Sequence, residues 1–275
     1  MTLSIGIDLA KMRDRTALVF MESYIKPDIS PRGRPRHLVH HRILGLARTP
    51  RGLDYPTQIR MIVDQVVTWA GEDKVTLWVD DTGPGKAVVD MLRMQCPLPI
   101  RGVTIGSGNQ AVRHGQDMTL PKTLLVEALE AVMVSRRLHG TRVLPYAALP
   151  KMTASWEDLD KELGAFGAQR LESGAIKYEA QKGHDDMVIA LALAIWGGHK
   201  SNGNGRAFLD HWQAASPVGS AKPSSDRLRA VLQRQRAREA RGAFGLAPVP
   251  RRSQGCDHIF RDDRCGLCGL VREPA

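Results

Sequence analysis

A chain of 275 residues with 43% hydrophobic content can bury one substantial α/β core with smaller additions, but not two large domains. The formal net charge of +10 and a pI near 9.8 point to a polyanionic partner, since Lys and Arg neutralise phosphates and release their counterions. Four cysteines are too few and too unevenly placed for a disulfide scaffold, with Cys96 alone and the other three near the end. The longest apolar run, residues 187–196, is half the length of a bilayer span, and the first apolar run contains Asp8, which argues against a signal peptide. The expectation is a cytoplasmic protein with no membrane partner.

In chain order, residues 3–9 and 16–22 are rich in β-branched and aliphatic side chains and predict two strands joined as a hairpin by the polar turn KMRDR. Residues 26–36, rich in Pro, Gly and Arg, predict a loop, and residues 37–47 a third strand. Apolar residues at Ile59, Ile62, Val63, Val66, Val67 and Ala70 have helical spacing, so residues 55–70 predict a helix. Residues 75–79 are a short apolar run of the kind found in a central strand. It ends in the turn DDTGPG, and a helix follows over 86–94. Residues 100–105 predict a strand and 106–121 a long polar loop. An amphipathic helix follows over 122–138, then a short helix over 155–163 and strands over 164–169 and 176–180. A near-continuous apolar helix over 184–196 has acidic residues in its first turn, where they suit the helix dipole. The order predicts an α/β fold, a mixed sheet with helices on both faces, over residues 1–198.

The character changes after Gly197. Residues 199–275 carry 14 Lys and Arg against 7 Asp and Glu. The reading is a linker over 199–223, a basic helix over 224–242 and a further linker leading to a cysteine-rich end over 243–275. Cys256, His258, Cys265 and Cys268 form a C-x-H-x6-C-x2-C set, which suits a closed, structural zinc site, the alternative being reduced surface thiols. Six arginines between 227 and 241 offer phosphate contacts or, alternatively, a solvated face. Aromatic residues make up only 5% of the chain, which disfavours base stacking on single strands.

The chemistry rests on acidic residues in costly places. Asp8 lies within the first strand, Asp80 ends a central strand, and Asp185 and Asp186 open an apolar helix. Charges on such elements are expensive unless paired or bound to metal. Each has a plainer reading: Asp8 and Asp80 as turn initiators, and the His184-Asp185-Asp186 run as a helix cap. Together they match what phosphodiester hydrolysis needs, a group of carboxylates holding two Mg²⁺ or Mn²⁺ ions. GPGKA at 83–87 is not a P-loop, because Asp80 stands where the first Gly belongs and Ala87 where Ser or Thr belongs.

The segments IGIDLAKMRDRTALV, LWVDDTGPGKAVVDML and YEAQKGHDDMVIALALA resemble the nuclease domain of tailed-bacteriophage large terminase subunits, a branch of the RNase H-like superfamily. PKTLLVEALEAVMVSRRL and LDKELGAF also resemble this family, so the likeness covers roughly residues 3–198. The resemblance implies an RNase H-like core and metal ligation by Asp8, Asp80 and Asp186. Asp185 would be an additional ligand or a supporting group, and His184 would orient the phosphate or a carboxylate. Asp14 matches a further acidic position. The resemblance also implies an endonuclease acting on double-stranded DNA in viral DNA packaging, in the host cytoplasm. Its partners would be a small terminase subunit, a portal and an ATPase on a separate polypeptide, since this chain lacks the motor. Two other readings stand beside it: a Holliday-junction resolvase or transposase-like nuclease, and a non-catalytic DNA-binding component of the packaging machine. Lys122, Arg113 and His114 border the long loop as candidate phosphate contacts.

Overall fold

Alternation along the first strand sets the layers. In β1 (Thr2–Asp8), Leu3, Ile5 and Ile7 point to one face and Ser4, Gly6 and Asp8 to the other. The computed structural model describes residues 2–9, 15–29, 35–71, 73–83, 85–108, 110–140, 154–170, 176–180 and 183–201, and the pairs 260–261 and 264–265. β1 runs antiparallel to β2 (Ala17–Ile29), which pairs in turn with β3 (Pro35–Arg48). On its other side β1 runs parallel to β4 (Val75–Asp80), in the register Gly6↔Trp78 and Ile7↔Val79. The sheet continues through β5 (Ile100–Gly106) and the hairpin of β6 (Val112–His114) and β7 (Asp117–Pro121), and ends beyond β3 at β8 (Leu138–Gly140). The eight-stranded order is β6-β7-β5-β4-β1-β2-β3-β8.

Helices cover both faces, as the element order predicts. α1 (Tyr55–Ala70) and α2 (Gly85–Gln95) bury Ile59, Ile62, Val66, Val88 and Leu92 against Leu3, Ile5, Ile7, Leu77 and Val79. α1 begins where the Asp54 carboxylate accepts the Thr57 amide at 2.9 Å, and ends at Gly71, whose φ of +54° suits glycine. The opposite face holds α3 (Lys122–Val134), α4 (Trp156–Ala165) and α5 (Asp186–Ser201), packed on Val19, Met21, Trp78, Val103 and Leu120. α4 opens with a reciprocal capping box between Ser155 and Asp158. It leads into the hairpin of β9 (Phe166–Arg170) and β10 (Ile176–Ala180). No helix among the described residues is long and apolar enough to cross a membrane.

α5 is buried along most of its length, which explains its continuous apolar sequence. It approaches β1 too closely for a side chain on Gly6: a Cβ there would overlap the Ala190 carbonyl and lie 2.6 Å from the Ala194 amide nitrogen. The Ser4 hydroxyl donates to the Ala194 carbonyl at 3.0 Å. One turn further on, Gly197 lies against the Trp78 indole and Gly198 against Ser23, the partner of Thr2. At the same end His199 Nε2 sits 3.1 Å from His41 Nε2, and His41 Nδ1 sits 2.8 Å from the Ser23 hydroxyl. Burial, reinforced by the Arg137 guanidinium, pushes the His199 imidazole down to about 3, and burial first also holds His41 well below its ordinary range, so both are neutral. α5 therefore runs opposite to β1, and its N-terminus lies at the Asp8 end.

Four local expectations need correction. Residues 26–29 and 35–36 continue β2 and β3, because these strands extend each other's pairing beyond the core; 30–34 lie outside the described residues. The segment 106–121 contains β6 and β7, turned at Gly115 with φ +63°. The helix from Lys122 stops at Val134. Arg136 then takes a positive φ of 56°, and Leu138 joins the sheet edge as β8. α5 passes through Gly197 and Gly198 to Ser201, since those glycines are packing contacts rather than a break. Asp14, the basic helix over 224–242 and the zinc set Cys256, His258, Cys265 and Cys268 lie outside the described residues, apart from the backbone pairing of β11 (Phe260–Arg261) with β12 (Arg264–Cys265).

Gly6→Ala is expected to destabilise the fold by roughly 3 kcal/mol or more, because backbone atoms cannot yield as a side chain would. Urea unfolding of Gly6→Ala against Gly45→Ala, whose nearest neighbour is the Phe20 side chain at 3.3 Å, measures this, with the larger loss expected at Gly6.

Candidate active site

The packing of α5 determines which acidic side chains meet. Asp8 follows Gly6 on the α5 face of β1, and Asp80 follows Trp78 on the same face of β4. The two stand on neighbouring parallel strands, one step beyond the Ile7–Val79 rung, where strands lie about 4.8 Å apart. Two residues of strand separate Asp8 from Gly6, about 6.6 Å. Four residues of helix separate Asp186 from Ala190, about 6 Å in the same direction. The first residue of α5 is thus delivered to the strand end that carries Asp8.

The electrostatics follow from this placement. The Asp8 carboxyl is held well above the ordinary carboxylate range, by burial first and then by the charges of Asp80, Asp186 and Asp185, with Lys122 pulling it down. Asp80 is also raised, chiefly by burial and additionally by Asp81. It is lowered by Thr82, whose amide and hydroxyl donate to Asp80 Oδ1 at 2.8 and 2.5 Å, and by Lys122. Those two bonds also fix the Asp80 side chain, so its turn-forming role and its place in the cluster coexist. Lys122 Nζ donates to Asp185 Oδ2 at 3.0 Å.

Of the residues singled out from sequence, Asp8, Asp80, Asp185 and Asp186 come together. Asp185 occupies the cap position of α5, where its carbonyl accepts the Ile189 amide at 2.9 Å. His184 stands at the rim with its side chain 45% exposed, its Nδ1 3.9 Å from Asp186 Oδ2. Lys122 joins the carboxylates instead of bordering a loop. Arg113 and His114 lie on β6, three strands from β4, where Arg113 Nε donates to the Gly115 carbonyl at 2.8 Å and His114 Nε2 lies 3.2 Å from the Thr119 hydroxyl. Asp81 points to the other face of the sheet, buried, and accepts the Thr104 hydroxyl at 2.6 Å.

Glu162 is the supporting residue that sequence reading missed. One of its oxygens accepts the Met187 amide at 2.8 Å, satisfying a donor at the start of α5, and the other pairs with Arg48. The signal was present: Glu162 shares the apolar face of α4 with Leu159 and Leu163 and is buried with them.

The chemistry of the donor set suits hard divalent cations. It is all oxygen, and among the described residues four carboxylates face the Lys122 ammonium, so the desolvated Asp8 carboxyl is left with like-charged neighbours that a cation would relieve. Among the described residues no three His, Cys, Asp or Glu donors are closed up around a single point. The carboxylates form an open group at the ends of β1, β4 and the start of α5.

No family model matches the chain, and no curated protein matches it. Among solved structures, the chain is similar to the Thermus phage P74-26 large terminase nuclease domain, at 17% identity and a TM-score of 0.43, over 72% of this chain and 80% of that chain.

Because Asp8 is strained by burial and by like charges, Asp8→Asn is expected to raise the melting temperature in EDTA at pH 7 by a few degrees, at about 2–4 °C per kcal/mol. A carboxyl with a raised folded-state pKa costs stability above that pKa and costs none below the unfolded value. The gain should therefore shrink as pH falls and Asp8 becomes protonated. A variant no more stable than wild type at pH 7 would contradict the crowding.

Proposed function

We propose that the chain is a divalent-metal-dependent endonuclease that cuts double-stranded DNA, of the terminase type. The observation that carries this reading is the convergence of Asp8, Asp80, Asp185 and Asp186 on one face of the sheet at the Asp8 end of β1. Asp8, Asp80 and Asp186 would hold Mg²⁺ or Mn²⁺, with Asp185 beside them. Bound there, such ions supply charge stabilisation for the phosphate and lower the pKa of an attacking water.

The remaining work falls to the protein. Thr82 holds the Asp80 carboxylate in one orientation with two hydrogen bonds. Glu162 and Arg48 fix the first turn of α5, and with it Asp186. His184, exposed beside Asp186, would meet a phosphate or steady that carboxylate. The overall basic charge favours a phosphate backbone as substrate, and the few aromatic residues favour a duplex over an unstacked single strand. The motif likeness to large terminases extends the proposal to DNA packaging, alongside a packaging ATPase, a small subunit and a portal. The Cys256, His258, Cys265 and Cys268 set belongs to the proposal as a structural zinc site.

A plasmid-nicking assay with Mg²⁺ or Mn²⁺ tests the assignment. Asp80→Ala is expected to lower cutting by at least roughly 100-fold, the upper end of what loss of a supporting group costs a metal site. Asp81→Asn, on the other face and still able to accept from Thr104, is expected to cut. Activity that survives Asp80→Ala, or that is unchanged in EDTA, would remove the proposed site.

A further inference from the structure

Lys122 is the residue at the site that the catalytic reading does not use. It is the first residue of α3, directly after Pro121 of β7, and β7 pairs with β5 through Gly106↔Pro121. Its ammonium is held from two sides. Asp185 Oδ2 accepts from it at 3.0 Å, and the ring of the buried Phe166 lies 5.8 Å away, within the range where a cation is drawn to an aromatic face. Phe166 follows directly after α4, which also carries Glu162. Three elements, α3, the α4–β9 junction and the start of α5, thus fix one positive charge among four carboxylates.

Its field reaches beyond its partner. Lys122 favours the charged forms of both Asp8 and Asp80, against the burial and like charges that disfavour them. That is the service a divalent ion would provide, delivered by a side chain. A divalent ion drawn to Asp185 would have to share that carboxylate with the ammonium or displace it, and two like charges on one carboxylate repel each other.

We propose that Lys122 is a resident counter-ion that acts in place of one of the two divalent ions, so that the site takes up one ion readily and a second only when Lys122 leaves Asp185. This inference rests on the metal-site reading above. It makes Lys122 a positioning residue that sets metal stoichiometry: the metal-free cluster is held together by the lysine, and full loading is coupled to breaking one ion pair. The freed ammonium would then be available to a phosphate.

The test is a Mn²⁺ titration of the full chain, followed by calorimetry and by the electron paramagnetic resonance signal of free Mn²⁺, so that the readout is independent of cutting. Wild type is expected to bind one Mn²⁺ tightly. Lys122→Met is expected to bind a second with at least about tenfold higher affinity than wild type does, and to melt at a lower temperature in EDTA because the carboxylates lose their counter-ion. Lys122→Arg, which keeps the charge, is expected to retain the wild-type stoichiometry, and Lys122→Gln serves if the methionine variant does not fold. Wild type binding two ions equally well, or Lys122→Met and Lys122→Gln binding no more than wild type, would overturn the role of Lys122 while leaving the metal site standing. Absence of Mn²⁺ binding in wild type and variants alike would overturn both readings.

Discussion

The site depends on how closely one helix can approach one strand. Gly6 leaves room for the backbone of α5 at Ala190 and Ala194, and the Ser4 hydroxyl fastens the same contact. At the far end, Gly197 and Gly198 allow equal intimacy with Trp78 and Ser23, and the neutral His41–His199 pair closes it. Eight helical residues from Ala190 to Gly198 cover about 12 Å, and four strand residues from Gly6 to Thr2 about 13 Å, so the two elements stay in step. Once they are in step, the position of Asp186 relative to Asp8 follows. Cores are close-packed and transmit such displacements rather than absorbing them.

This precision supports an arrangement that is electrostatically unfavourable by itself. Asp8 is half-buried and desolvated beside three other acidic residues, and Asp80 is desolvated beside Asp81. The fold offsets the cost with groups placed outside the cluster. Thr82 donates twice to Asp80, Glu162 satisfies the first turn of α5, and Arg48 neutralises Glu162. Lys122 brings a positive charge to the carboxylates through its pair with Asp185. A group of like charges maintained at the ends of two central strands by dedicated partners is the pattern expected where stability yields to chemistry.

Much of this is legible in the sequence because it is local. The alternation in TLSIGID puts Gly6 and Asp8 on one face, and the same alternation in VTLWVD puts Trp78 and Asp80 there while turning Asp81 away. The continuous apolar run after Asp186 marks a helix buried on most sides. What sequence reading missed is non-local or weakly patterned. The ion pair of Lys122 with Asp185 spans 63 positions, and that of Arg48 with Glu162 spans 114. The hairpin of β6 and β7 has exposed residues throughout β6 and no alternation to read, so its polar composition resembles a loop. Gly197 and Gly198 look like a helix stop until Trp78 and Ser23 are seen to need the space.

The central claim is that side chains from β1, β4 and the start of α5 form one site for divalent cations. Crystals grown with Mn²⁺ and measured at the manganese absorption edge test it most directly. An anomalous peak coordinated by carboxylate oxygens of Asp8, Asp80 and Asp186 is the predicted result. Manganese bound elsewhere with these three carboxylates left unliganded, or no manganese bound at a concentration that supports cutting, would contradict it.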